Sequence, residues 1–172
     1  MNNIILCGLQ KSGKTTIGKL LAMKLQRAFI DTDLLVEQAY AEKTGSWLSC
    51  REIYMKEGQA AFRALEKQQI VLLKSVNQSV ISLGGGSLCD PDSVSLLQSV
   101  GPLVYLKTPS HVIWNRIQPV DFPAFLDSVN PEKSFKYMLE QRLPLYEASA
   151  THVIDTSNHA VDDLVMALFD IL

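Results

Sequence analysis

Cysteine is scarce: the three present, Cys7, Cys50 and Cys89, are odd in number and show no CxxC spacing. That argues against a disulfide framework or a zinc ribbon and for reduced thiols, with Cys7 read as a buried strand residue. Long apolar runs are lacking as well. No window approaches the roughly 20 residues of a membrane span, and the first run, Ile4 to Cys7, follows no basic segment and is too short for a signal peptide. A soluble, cytoplasmic protein is expected, without a membrane partner. Neither sign of charge dominates: 16 basic against 18 acidic residues leave a formal charge of -2, so there is no broad attraction for nucleic acid or anionic lipid. An anion must therefore be held by a local site. His111, His152 and His159 have no metal-ligand spacing, and Trp47 and Trp114 read as packing residues.

What is present is a well-filled chain, 172 residues with 47% hydrophobic content, which suits one domain and one core. Without repeats or low-complexity tracts, β-type apolar runs alternate with helical patterns from end to end, the signature of an α/β parallel sheet. Strands are expected at Ile4 to Cys7, Ala28 to Asp31, Ser79 to Leu83, Leu103 to Lys107 and His152 to Ile154, as continuous apolar runs covered on both faces. Helix starts are marked by a capping box beginning at Ser49 and by Asp90-Pro91, Thr108-Pro109 and Asn130-Pro131. The stretch "QPVDFPAFLDSVN", Gln118 to Asn130, has two prolines and no period, and reads as a functional loop or lid.

The strongest chemical signal is "GLQKSGKT", Gly8 to Thr15, which satisfies G-x-x-x-x-G-K-[ST] directly after a strand and before a helix. Gly8 and Gly13 let the backbone curl so that successive N–H groups face phosphates; Lys14 reaches the outer phosphates, and the Thr15 hydroxyl suits Mg²⁺. The following helix, with Ile17, Leu20, Leu21 and Leu25 on its core face, adds its positive dipole end. A nucleotide is implied. A GTP switch protein is disfavoured, because guanine selectivity there uses N-K-x-D and no Asn-Lys pair exists in the chain.

A small kinase fits better. "FIDTD" puts Asp31 and Asp33 at the carboxyl end of a strand, where open α/β sheets form their crevice. One carboxylate there would support the metal's water shell and the other accept a proton from an attacking hydroxyl, although "DTD" equally suits capping of the next helix. Arg63 and Glu66 share a helix face at i, i+3, where Glu66 would hold the guanidinium for a carboxylate; a plain surface ion pair is the simpler alternative. Gly84, Gly85 and Gly86 end a buried strand and allow close backbone approach to a ligand. Arg142, read as late on a helix closed by Pro144, is a second carboxylate ligand or a helix-terminal charge.

These residues resemble the shikimate kinases, of the nucleoside-monophosphate-kinase-like branch of P-loop proteins. The resemblance spans nearly the whole chain and rests on the phosphate loop to Thr16, "DTD", "FR..E" at Phe62 to Glu66, "SLGGG" at Ser82 to Gly86, "R.PLYE" at Arg142 to Glu147 and "IDT" at Ile154 to Thr156. It implies a three-layer fold with five parallel strands in the order 2-3-1-4-5. It also implies a single kinase domain over 1–172, with a substrate-binding helical region at about 33–62 and a lid at about 117–130. The implied activity is ATP-dependent phosphorylation of the 3-hydroxyl of shikimate, with Mg²⁺, by a protein that is usually monomeric. Position by position, Asp33 activates the hydroxyl, Asp31 and Thr15 support the metal, and Lys14 stabilises the transferring group. Arg63 and Arg142 clamp the carboxylate, while Gly84, Gly85 and Gly86 line the ring. Lys11, Ser12, Gly13 and Thr16 join Gly8 in the nucleotide loop, and Arg116, Ser157 and Asn158 lie near the adenine.

Two departures stand out. Where the family's lid carries an arginine before Pro-Leu-Leu, this chain has Phe122 in "FPAF"; of its five arginines none lies between Arg116 and Arg142. Where the phosphate loop commonly has glycine, it has Lys11. One expectation is that Lys11 supplies the charge the lid has lost; the other is that Lys11 faces solvent and Arg116 or Mg²⁺ suffices. Alternatives for the whole chain are another small-molecule kinase, such as a gluconate kinase, or an ATP-binding relative with weakened catalysis. The paired arginines and Gly84 to Gly86 speak against the first, and retention of Asp31, Asp33, Arg63 and Arg142 together against the second.

Overall fold

A computed structural model describes residues 3–117 and 123–171; position 122 and its four predecessors lie outside the described residues, and with them the Phe122 departure. The elements are β1 (Ile4–Cys7), α1 (Lys14–Leu25), β2 (Ala28–Asp31), α2 (Thr32–Thr44), α3 (Cys50–Leu72), β3 (Ser79–Ser82), α4 (Pro91–Val100), β4 (Leu103–Lys107), α5 (Ser110–Arg116), α6 (Pro131–Ser149), β5 (His152–Asp155) and α7 (Val161–Ile171). The strands form one parallel sheet in the order β2-β3-β1-β4-β5.

Alternation along the central strand builds the three layers. Ile4 and Leu6 point to one face with Val80, Val104 and Leu106, where α1 and α7 cover them through Ile17, Leu21, Leu164 and Leu168. Ile5 and Cys7 point to the other with Ile81, Leu103 and Tyr105, under Ile70, Leu97, Ile113, Phe135 and Tyr146 from α3 to α6. Burying each such aliphatic side chain stabilises by about 1.5–3 kcal/mol, so β1, flanked on both edges and both faces, is the least replaceable strand. A smaller cluster, Val36, Tyr40, Ile53 and Phe62, packs α2 against α3 beyond the sheet's carboxyl edge.

Caps and prolines follow the expectations in part. Ser49 and Glu52 form the full capping box, and Asp90 accepts from the Ser93 N–H at 3.0 Å. Asn130 stands at the start of α6 without a side-chain cap. Thr108 does not cap α5, which begins at Ser110; its hydroxyl is buried between the Ser12 carbonyl at 3.3 Å and the Thr156 hydroxyl at 2.7 Å. Nor does Pro144 close α6, which continues to Ser149. The backbone bond lost at a helical proline is outweighed there by burial of Tyr146 and Ser149 on the same helix. Helix α3 is broken at Gly58, whose φ of 82° is left-handed.

One buried polar side chain ties the amino ends of the strands together. Asn3, 2% exposed, donates to the Val76 carbonyl at 2.7 Å and the Val100 carbonyl at 3.3 Å, and accepts from the Ser79 N–H at 3.0 Å. Asn3→Ala leaves these backbone groups buried without partners. It is expected to cost about 2–4 kcal/mol, read as a lower urea midpoint with an unchanged denaturant slope.

Candidate functional site

The order β2-β3-β1-β4-β5 makes successive connections leave β1 on opposite sides, and the crevice lies beyond the carboxyl ends of β1, β2 and β3. A cavity of about 680 Å³ opens there. Its wall includes Lys11, Ser12, Gly13, Lys14, Thr15 and Thr16 from the phosphate loop, Asp31 and Asp33 after β2, and Arg63 and Glu66 on α3. Gly84, Gly85 and Gly86 after β3, Arg116 on α5 and Arg142 on α6 complete it.

The phosphate loop is shaped by three left-handed residues, Gly8 (φ 138°), Lys11 (φ 64°) and Gly13 (φ 97°). A side chain at Gly8 would also meet the Leu106 carbonyl at 2.9 Å. Lys11 thus occupies the backbone conformation that suits the glycine of the resembling family, and its carbonyl accepts from the Arg116 guanidinium at 3.0 Å. Its side chain is exposed beside the cavity. Gly13 precedes α1 without a side-chain cap, so the first N–H groups of the helix remain open to an anion. The Ser12 hydroxyl is buried and has no hydrogen-bond partner among the described residues. An orphaned hydroxyl inside a loop of inward N–H groups fits a phosphate oxygen as its missing partner.

Lys14 is buried, its ammonium folded onto the carbonyls of Gly8 at 3.0 Å and Leu9 at 2.7 Å. Burial lowers its pKa, and the nearby charge of Asp33 opposes that. Asp31 takes both roles its sequence allows: one oxygen caps α2 by accepting from the Asp33 N–H at 3.1 Å, and the other accepts the Thr15 hydroxyl at 2.9 Å. A carboxylate and a hydroxyl side by side fit a hard cation. Among the described residues no three acidic, histidine or cysteine side chains form a metal cage, so such an ion would take its other ligands from phosphates and water.

Asp33 faces the cavity, but protein surrounds it on most sides. That desolvation, reinforced by the like charge of Asp31 and offset by Lys14, pushes its pKa up to about 6. The neighbouring Cys50 thiol, 3.3 Å from the Asp33 carbonyl, is pushed up by burial and then by Asp33, and stays neutral.

None of the three glycines has a positive φ; Gly84 and Gly86 leave space in which neighbouring site side chains lie. A Cβ at Gly84 would lie 2.6 Å from an Asp33 oxygen and 2.9 Å from a Glu66 oxygen, and one at Gly86 would collide with the Arg63 guanidinium. The Gly84 N–H donates to the Thr32 hydroxyl at 2.9 Å, fixing this turn to the start of α2. Arg63 forms a short ion pair with the buried carboxylate of Glu66, which also accepts the Ser87 hydroxyl at 2.9 Å. Arg142 donates to the Gly85 carbonyl at 3.1 Å, and the Tyr146 hydroxyl donates to the same oxygen at 2.5 Å.

Three expected residues do not reach the wall. Gly8 sits beneath it, holding Lys14 through its carbonyl. Ser157 and Asn158 are replaced there by Thr156, His159, Val161 and Leu164. The cause is local: the Ser157 N–H turns back to the Asp155 carboxylate at 2.7 Å, and Asn158 is left-handed at φ 57°. Arg51 and Tyr54 also line the cavity, as do Pro123, Ala124 and Phe125 from the stretch read as a lid, although the sequence marks none of these five as a site residue.

A phosphate loop, a carboxylate of raised pKa and two arginines on the wall of one cavity define a P-loop phosphotransferase acting on a small anionic acceptor. The shikimate kinase family model matches residues 11–172, and the chain belongs to that family of ATP- and Mg²⁺-dependent kinases. It is 35% identical over 164 residues to the shikimate kinase of Caldanaerobacter subterraneus subsp. tengcongensis, covering 95% of this chain and 92% of the relative. It is 36% identical over 156 residues to that of Thermodesulfovibrio yellowstonii, covering 91% and 86%. A solved shikimate kinase from Acinetobacter baumannii, in complex with shikimate, superposes with a TM-score of 0.88 at 32% identity over 99% of this chain and 92% of that one. Among the described residues no helix is long and apolar enough to cross a membrane.

The raised Asp33 pKa has two pH-dependent consequences. Where Asp33 takes the part of the base it must be ionised, and kcat/KM for the acceptor is then expected to fall about tenfold per pH unit below about pH 6, a limb read from the pH profile. In the fold Asp33 binds its proton more tightly than at its ordinary value of 3.8, so the stability this proton contributes is present at low pH and lost as pH rises to about 6. Asp33→Asn is therefore expected to raise Tm at pH 7.5 and to lose that advantage below pH ~4.

Proposed function

We propose that this chain transfers the γ-phosphoryl group of ATP to the 3-hydroxyl of shikimate, with Asp33 as base and the arginine pair as the acceptor's carboxylate ligands. The observation that carries this reading is a single cavity whose wall brings together the phosphate loop with its orphaned Ser12 hydroxyl, the Asp33 carboxylate and the guanidinium groups of Arg63 and Arg142.

ATP lies with its phosphates on the N–H groups of the loop from Gly8 to Thr16 and its base toward Arg116, Thr156 and His159. The acceptor's carboxylate pairs with Arg63 and Arg142, which turns its ring against Gly84, Gly85 and Gly86 and its hydroxyl toward Asp33. Asp33 takes the hydroxyl proton as the oxygen bonds to the γ-phosphorus and the bridging bond to ADP breaks; the proton remains on Asp33 until solvent removes it. Lys14, released from the Gly8 and Leu9 carbonyls, follows the negative charge on the transferring group. The Thr15 hydroxyl and, through water, Asp31 would hold Mg²⁺, which would supply neutralisation of phosphate charge. Glu66 and Ser87 keep Arg63 in place.

The same reading assigns 1–172 to one kinase domain, with the α2–α3 region at about 33–62 gripping the acceptor and residues 117–130 acting as the lid. It takes the protein as a cytoplasmic monomer. Lys11 and Arg116, both on the cavity wall, are the two cations of this reading that could take the part of a lid arginine.

The test is ADP release from ATP and Mg²⁺ with shikimate, gluconate or no acceptor. Shikimate alone is expected to stimulate release, and Asp33→Asn to reduce that rate about 10²–10⁴-fold. Equal rates with and without shikimate, or stimulation by gluconate instead, would contradict the assignment.

A further inference from the structure

The two arginines at the acceptor end are held by different means. Arg63 is neutralised by Glu66. Arg142 is only 8% exposed, yet among the described residues it forms no ion pair: its edge donates to the Gly85 carbonyl at 3.1 Å, and its guanidinium carbon lies 4.4 Å from the centre of the Phe125 ring.

The ring belongs to an anchored turn. The Leu126 N–H donates to the Pro123 carbonyl at 3.0 Å, and Leu126 packs against the core. The next residue, Asp127, donates its N–H to the Ser134 hydroxyl at 3.0 Å, in the first turns of α6, the helix that carries Arg142. Ring and guanidinium are thus both referenced to one helix, and their contact exists without a bound acceptor.

A guanidinium donates only in its own plane. With an aromatic ring 4.4 Å from its central carbon and one donor engaged by Gly85, the guanidinium is held at two points beside the cavity, which restricts the directions its remaining donors can take. A long side chain ordered in advance loses less entropy on binding, and a desolvated cation over a ring is held more firmly than an exposed one.

We propose that Phe125 is a positioning residue for the acceptor's carboxylate, fixing and shielding the Arg142 guanidinium so that this half of the clamp is formed before the acceptor arrives. The proposal rests on the reading of Arg142 as a carboxylate ligand. It separates the lid segment into two parts with different tasks: a turn at 123–126 that serves the acceptor, and the preceding residues.

Steady-state kinetics of the full chain test it with Phe125→Leu and Phe125→Met, which remove the ring, and Phe125→Tyr, which keeps it. Loss of the ring is expected to raise KM for shikimate about 3- to 30-fold, the range spanned by a cation–π contact from exposed to desolvated. KM for ATP should stay within about twofold, and the tyrosine variant should match the wild type. In an Arg142→Gln background, Phe125→Leu should have no further effect on kcat/KM for shikimate, because the group it positions is gone. Unchanged KM for shikimate in both ring-less variants, a parallel rise in KM for ATP, or an undiminished effect in the Arg142→Gln background would each overturn the proposal. Failure of the parent reading looks different: the wild type itself would show no shikimate-dependent turnover, and the proposal would fall with it.

Discussion

Lys14 and Asp33 hold opposite charges in one partly dehydrated cavity before any substrate is present, and the rest of the site is arranged around that pair. Neither is fully compensated. Lys14 leans on two carbonyls of its own loop, and the opposing charge of Lys14 on Asp33 is outweighed by desolvation and the like charge of Asp31. Burial raises the pKa of the carboxylate and lowers that of the ammonium, while their mutual attraction opposes both shifts. The result is a carboxylate with a pKa of about 6 beside a buried ammonium whose present partners are only backbone carbonyls.

The fold maintains this arrangement by sharing contacts between segments. The Gly85 carbonyl receives both Arg142 and Tyr146, Thr32 holds the glycine turn against α2, and Thr108 joins the phosphate loop to the end of β5. Each contact crosses between elements distant in sequence, so the acceptor end, the phosphate loop and the adenine end are held to common points of the sheet. The glycine turn also sets how closely Asp33, Glu66 and Arg63 approach it, because side chains at Gly84 or Gly86 would occupy their places.

Much of this was legible in the residues. The strands agree with the apolar runs to within one residue, because a strand covered on both faces must be apolar throughout, and their order is the one the family resemblance implies. The phosphate loop, "DTD" and the glycine turn were legible because each depends on backbone shape or on adjacent residues. What depends on tertiary approach was not. The Thr108-Pro109 pair has the form of a cap, but a partner 48 residues away claims the hydroxyl. Pro144 has the form of a helix stop, but side-chain burial carries α6 past it. Ser157 and Asn158 follow the right strand, yet a local turn gives their place on the wall to Thr156 and His159. Asn3 and Phe125 carry no sequence signal, since their partners come together only in the fold.

The most direct measurement of the charge balance is a ¹³C NMR titration of the Asp33 carboxyl in the free protein, repeated in Lys14→Met. The arrangement described here requires a midpoint at about 6 in the wild type, moved upward when the opposing ammonium is removed. A wild-type midpoint near the ordinary aspartate value of about 4, unmoved by Lys14→Met, would contradict it.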